Sequence, residues 1–194
     1  MVSQLGQDDW VLSKISMPGY FVDIGASDGI SNSNTFKLEA AGWNGLCVEP
    51  NPVFFEQLAV NRKCQVSYNA VYTVSDQWVE LVMAEELSTL SDYVNADSHA
   101  EERQDKASEK VITKSLDDLL KYYDVPKRID YLSIDTEGSE LDILSAFSWS
   151  YDIQLITVEH NYSKNRDSIR DLLIGKGYQR VDLPSEWDDW YEKG

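Results

Sequence analysis

The chain has 194 residues, 42% hydrophobic and 11% aromatic, enough for one domain with a proper core and a composition that excludes disorder as the default state. Its 34 acids against 17 bases give a net charge of −17, which argues against a phosphate-backbone or anionic-membrane partner and fits a small neutral or cationic acceptor. Two cysteines, Cys47 and Cys64, are too few for a disulfide framework or a metal knuckle, no stretch approaches transmembrane length, and Met1 to Trp10 lacks the basic-then-apolar pattern of a secretory signal, so a cytoplasmic location is expected.

Leu5, Trp10, Val11, Leu12 and Ile15 recur at helical spacing and Pro18-Gly19 ends the pattern, which predicts a helix over residues 3–15 with Gln4, Gln7 and Asp8 on its polar face. Tyr20 to Ile24 is a short apolar, β-branched run and reads as a buried strand. It enters a turn from Gly25 through Ala26, Ser27 and Asp28 to Gly29, and a helical pattern through Phe36, Leu38 and Ala40 then stops at Gly42. Strand, small-residue turn and helix form the first half of a nucleotide-binding βαβ unit, in which a ligand lies against backbone N–H groups. Gly25-x-x-x-Gly29 does not fit the dinucleotide pattern Gly-x-Gly-x-x-Gly, which weakens a nicotinamide-dependent oxidoreductase. Asp23 and Asp28 line pyrophosphate poorly but suit a cationic ligand with hydroxyl and amino donors, the chemistry of S-adenosylmethionine. Leu46 to Val48 is a second strand ending in Glu49, placed about 20 residues on to accept hydrogen bonds from both ribose hydroxyls. The plainer alternative is a tight turn and a solvated acid.

Asn51 and Pro52 read as helix N-cap and first helical residue, with Phe55, Leu58, Ala59 and Arg62 continuing the helix. Gln65 to Val71 reads as the third strand and Trp78 to Met83 as a side hairpin strand. Residues 84–110 form an irregular insertion: Leu87 to Tyr93 suits an acceptor-binding lid, while Asp97 to Lys110, with His99, reads as solvated exterior. Val111 to Thr113 is a short strand, and Ser115-Leu116-Asp117-Asp118 opens a helix with a Ser-x-x-Asp cap. Ile129 to Ile134 is a buried strand closing on Asp135-Thr136-Glu137-Gly138, with Ser139 placed to cap the next helix. Leu155 to Val158 is a further strand ending in Glu159-His160-Asn161, followed by a helix from about Asn165 to Ile174. Strands alternating with helices predict one α/β domain over residues 1–194, a mostly parallel twisted sheet with helices on both faces, whose ligands bind outside the carboxyl ends of the strands.

The runs Val22 to Gly29, Ser33-Asn34-Thr35, Gly42 to Gly45, Val48-Glu49-Pro50-Asn51-Pro52 and Asn61-Arg62 together resemble the FkbM-type methyltransferase family. Ser3 to Asp8, Ile129 to Glu140 and Val158 to Asn161 match the same family in order, so the resemblance covers nearly the whole chain. It implies a class I, Rossmann-like fold, with Tyr178 to Leu183 and Trp187 to Tyr191 as an antiparallel edge hairpin, and methyl transfer from S-adenosylmethionine to an oxygen of a sugar or sugar-bearing metabolite. It also implies that Gln7 borders the cofactor's methionine end, that Asn69 and Ala70 lie at the adenine, and that Ser33, Asn34, Pro50 and Asn51 belong to the cofactor site. Asn69 is equally a strand-end turn former.

Asp23, Glu49, Asn69, Asp135, Glu137, Glu159 and His160 thus fall along one sheet edge. An attacking hydroxyl must be aligned with the methyl group and lose its proton. His160, whose imidazole titrates near neutral pH, is the easier general base, with Asp135 the alternative and Glu159 orienting it or binding the acceptor. Asp135, Glu137, Glu159 and His160 also form a hard ligand set for Mg²⁺, which nothing in their spacing requires, and metal-free transfer is the expectation. The rival of a different class is a non-catalytic binding or scaffold protein retaining the fold, with Ser185 to Tyr191 as a partner contact. The identity of the acceptor and the oligomeric state are not written in the sequence.

Overall fold

The structure, a computed structural model, describes residues 3–182 and 186–194; Leu183 and Ser185, at the ends of two segments read from the sequence, lie outside the described residues. In chain order its elements are α1 (Gln7–Lys14), β1 (Tyr20–Ile24), α2 (Phe36–Ala40), β2 (Asn44–Val48), α3 (Pro52–Asn61), β3 (Gln65–Ser67), β4 (Ala70–Tyr72), β5 (Trp78–Val82), β6 (Thr89–Leu90), β7 (Ser108–Ser115), α4 (Leu116–Tyr122), β8 (Arg128–Ile134), α5 (Glu140–Ala146), β9 (Asp152–Glu159), α6 (Arg166–Gly175), β10 (Tyr178–Arg180) and β11 (Asp188–Lys193).

Seven strands form the main sheet in the order β10-β11-β9-β8-β1-β2-β3. The run β9-β8-β1-β2-β3 is parallel, and β11 pairs antiparallel with both β9 and β10. Alternation along each strand divides the core between two faces. Val22, Ile24, Leu132 and Ile134 meet Leu119 and Leu120 of α4, Ile143 and Leu144 of α5, and Ile169 and Leu173 of α6. Phe21, Cys47 and Tyr131 meet Trp10 and Val11 of α1, Leu38 of α2 and Leu58 of α3. The sheet is therefore covered on both sides, as the alternation of strands and helices requires.

Three local expectations are corrected. The segment read as one strand over Gln65 to Val71 splits into β3 and β4. Asn69 accepts from the Ser67 hydroxyl at 3.1 Å and donates to the Ile112 carbonyl at 3.3 Å, so the chain leaves the main sheet and pairs Ala70–Tyr72 with β7 instead. Together β4, β7, β5 and β6 form a separate four-stranded sheet, and β7 is longer than the expected Val111 to Thr113. Ser139 makes no side-chain cap of α5; Glu140 Oε1 instead accepts the N–H groups of Thr136 and Gly138 at 2.8 and 3.0 Å. The caps at Asn51 and Ser115 form as read, accepting from Val53 N at 3.0 Å and Asp118 N at 3.2 Å.

Gly45 shows how closely β1 and β2 are packed. A Cβ there would lie 2.3 Å from the ring of Phe21, which is wholly buried. Gly45→Ala is expected to destabilise the chain by about 1–3 kcal/mol through overpacking; urea unfolding with an unchanged midpoint would contradict this contact.

Candidate active site

The carboxyl ends of β1, β2, β8 and β9 open into a cavity of about 440 Å³, walled on its other side by Ala70 and Val71 of β4, Leu81 of β5 and Thr89 and Leu90 of β6. After β1 the backbone turns through Gly25, at φ 86°, where a Cβ would lie 1.7 Å from the Asp135 carbonyl oxygen. Only glycine fits there, and the turn presents Gly25, Ala26 and Ser27 to the cavity. Its far end is fastened by Arg62, wholly buried in its side chain, which donates to the Gly29 carbonyl, Thr35 Oγ1 and Glu39 Oε2 at 3.2, 3.1 and 3.0 Å. Thr35 in turn donates to Asp23 Oδ2 at 2.5 Å.

Glu49, also buried, accepts Ser27 N–H on one oxygen at 2.9 Å and Asn51 N–H on the other at 2.7 Å. Burial raises its pKa to about 7 against the pull of those two N–H groups. Each oxygen keeps a second lone pair for a ligand. Ser27 Oγ and Asn34 Oδ1 are buried at the cavity without a protein hydrogen-bond partner.

Asp135 and Glu137, just past the end of β8, and Glu159, at the end of β9, offer side-chain oxygens within 4.8 Å of one another. Asp135 and Glu159 lie close enough that each perturbs the other's titration. Burial, with Asp188 and Glu140 nearby, raises Asp135 to about 7, and burial and Asp135 raise Glu159. Glu137 is raised by burial and Asp135, while Arg103 opposes the shift by donating to its Oε2 at 2.7 Å; Asn161 adds a second bond at 3.2 Å. Asp188 is raised to about 6 by burial and accepts from Gln7 Nε2 at 2.6 Å.

Most of the residues singled out in the sequence line this one cavity: Gln7, Asp23, Gly25, Ala26, Ser27, Ser33, Asn34, Glu49, Pro50, Asn69, Ala70, Asp135, Glu137 and Glu159. Four others do not reach its wall. Asp28 turns its carboxylate onto the N–H groups of Ile30 and Ser31 and the Ser31 hydroxyl. Gly29 packs beneath Leu58 and Arg62. The Asn51 side chain caps α3 and donates to Ser88 Oγ at 3.1 Å. His160, read as the easier base, is the main correction: it is 3% exposed, its Nδ1 accepts Tyr162 N–H at 3.0 Å and its Nε2 faces Asp189 at 3.8 Å. Burial and Arg166 lower its pKa to about 4. It also stands outside the carboxylate cluster, so the four-residue metal set comes down to three acids.

The structure adds residues that the sequence reading passed over. Asp188 reaches the cavity because β11 pairs antiparallel with β9 and sets Asp188 directly opposite Glu159; the hairpin register would have revealed it. His99, read as a surface histidine, lines the cavity, and Arg103, read as part of a solvated exterior, is wholly buried.

A sequence model of the Methyltransferase FkbM domain matches residues 23–192. The chain belongs to the FkbM methyltransferase family. It is an S-adenosylmethionine-dependent methyltransferase, and S-adenosylmethionine is its cofactor. No curated protein matches it. Among solved structures it resembles a precorrin-6y C5,15-methyltransferase from Geobacter metallireducens, with a TM-score of 0.51 at 11% identity over 95% of this chain and 84% of that one. A TehB-like SAM-dependent methyltransferase from Corynebacterium glutamicum gives a TM-score of 0.50 at 8% identity over 98% and 88%. At such identities the likeness is one of fold. Among the described residues of this methyltransferase, no helix is long and apolar enough to cross a membrane.

The raised carboxyl groups make its stability depend on pH. Unfolded, these acids titrate near their ordinary values of about 4. Between about pH 4 and 7 the folded chain therefore binds more protons than the unfolded one, and stability falls as pH rises. The ligand-free methyltransferase is expected to melt at a lower temperature at about pH 8 than at about pH 5.5, and Asp135→Asn to flatten that slope. Calorimetric melts rising steadily across this range would contradict the buried acid cluster.

Proposed function

We propose that this methyltransferase transfers the methyl group to a hydroxyl of a sugar or glycosylated small molecule, with Asp135 taking the hydroxyl proton. The observation that carries this reading is the Asp135–Glu159 pair at the cavity wall, where Asp135 is raised to about 7. A general base works best with a pKa near the operating pH. As the acceptor oxygen attacks the methyl carbon, the carbon–sulfur bond breaks, the thioether S-adenosylhomocysteine leaves, and the proton passes to Asp135. The acidic wall favours the sulfonium cation, and Glu49 has lone pairs for the ribose hydroxyls. Gly25 to Ser27 offer close backbone approach, and Asn69 and Ala70, in the cavity wall, would meet the adenine.

The sugar reading draws support from the outer wall. There Tyr162 and Trp187 offer aromatic faces beside Asp188 and Glu159, a combination that suits C–H faces and hydroxyl donors together. A net charge of −17 disfavours nucleic acid and anionic membrane as substrates. Mg²⁺ is not required in this mechanism, because Glu137 already takes the Arg103 guanidinium as its counter-charge at 2.7 Å.

The test has two stages. Calorimetry with S-adenosylmethionine is expected to show binding that Glu49→Gln weakens about 10- to 100-fold, the range for a hydrogen bond to a charged group. A chain that gives no heat is a scaffold retaining the fold. A methyl-transfer assay on a panel of sugars and glycosylated metabolites is then expected to find an acceptor whose turnover falls about 10²-fold or more in Asp135→Asn. Turnover unchanged in that variant would remove Asp135 from the role, and turnover lost to EDTA and restored by Mg²⁺ would reassign the three acids to a cation.

A further inference from the structure

Residues 83–107 connect β5 to β7, and Glu85, Leu87, Ser88, Ser98 and His99 of this segment contribute to the cavity wall. Most of this segment has little regular structure, so something other than a backbone ladder must fix it. The side chain that does so is Arg103. It is wholly buried and donates to the Leu87 and Val94 carbonyls at 2.8 and 3.4 Å, to both Asp97 oxygens at 2.8 and 2.9 Å, and to Glu137 Oε2 at 2.7 Å. Four of these bonds stay within the segment; the fifth crosses to the carboxyl end of β8. Asp97, 2% exposed in its side chain, also accepts the His99 N–H at 2.8 Å, so the same ion pair fixes the turn carrying His99.

Neighbouring contacts fit a segment held down at one point. Thr89 Oγ1 donates to the Glu137 carbonyl at 2.8 Å. Gly138 lies at φ 125°, and a Cβ there would come 2.9 Å from Ala96 and 3.2 Å from Tyr93. The backbone after Glu137 is thus free of side chain where the segment lands.

We infer that Arg103 is a positioning residue that latches residues 83–107 over bound cofactor by joining Asp97 to Glu137, and so sets His99 in the cavity wall. A planar guanidinium suits the task, because its fork holds Asp97 bidentately while the outer N–H reaches Glu137. The latch also gives Glu137, one of the clustered acids, a counter-charge, which leaves Asp135 and Glu159 as the two acids without one. This inference rests on the cavity being the S-adenosylmethionine site.

The full-length chain with Arg103→Gln, and separately with Asp97→Asn, tests it. Asp97→Asn opens the same link from the segment side without leaving a charge unpaired in the cavity, and serves if Arg103→Gln does not fold. Amide hydrogen exchange is expected to rise at least tenfold over residues 94–104 in both variants, while β1 and β8 exchange as in the wild type. Release of S-adenosylhomocysteine is expected to quicken at least tenfold with its association rate no slower, a split that general destabilisation would not produce. Arg103→Lys, with the charge but not the fork, is expected to behave as Arg103→Gln. Unchanged exchange over residues 94–104, unchanged release, or full rescue by lysine would each overturn the latch. A wild-type chain that binds no S-adenosylhomocysteine would overturn the cofactor reading, and the exchange measurement on the free chain would still decide the fastening.

Discussion

The desolvation of carboxylates is the constraint on which the rest of this molecule depends. Asp23, Glu49, Glu137, Glu159 and Asp188 are all at least nine-tenths buried at one rim of the sheet, with Asp135 among them. An uncompensated ion there costs several kcal/mol. The fold compensates in three distinct ways. Glu49 and Glu140 accept backbone N–H groups, so their counter-charge is the turn itself. Asp135 and Glu159 are both raised, so burial is met by protonation rather than by a counter-ion. Glu137 is paired with a buried arginine. The remaining imbalance is of the sign that a sulfonium ligand relieves, so stability and function draw on the same arrangement: what makes the free protein less stable at higher pH is what makes the cavity receptive to a cation.

Two buried arginines do similar work on two loops beside the cavity. Arg62, from the end of α3, fixes the turn after β1 and closes a chain through Thr35 to Asp23. Arg103 fixes the segment between β5 and β7 to Glu137. Each uses several planar donors to hold loop oxygens that no helix or strand would satisfy, one backbone carbonyl for Arg62 and two for Arg103. Each also neutralises acids that would otherwise crowd the rim. The cavity is in this sense defined by two loops, and both are fastened by side-chain forks.

Much of the main sheet was legible in the sequence because buried parallel strands are short apolar runs, and because acids directly following such runs must lie at the carboxyl rim. Glu49, Asp135 and Glu159 were found by that rule, while Asp23, inside the end of the first strand, was read together with the turn that follows it. The rule gives position along a strand and nothing about direction beyond its end. His160 follows Glu159 directly, yet the chain turns through Asn161 and Tyr162 at φ 41° and 55°, and the imidazole faces Asp189. Asp28 sits in the expected turn but is spent on two local N–H groups, as an aspartate in such a turn readily is. Arg103 and His99 lie in a segment whose composition is that of a solvated surface. Composition measures average polarity, and a single arginine buried by five acceptors does not alter it.

By itself, then, the sequence determined the alternation of strands and helices, the glycine turn after β1, the caps at Asn51 and Ser115, and the placing of acids at strand ends. These follow from local periodicity and local backbone chemistry, which each residue carries with it. Only the tertiary structure decided that Gln65 to Val71 divides between two sheets, that Asp188 stands opposite Glu159, that His160 faces away, and that Arg103 ties an apparently solvated loop to Glu137. Each of these depends on which distant groups share a desolvated space, and a buried charge is settled by its partners in space rather than by its neighbours in the chain.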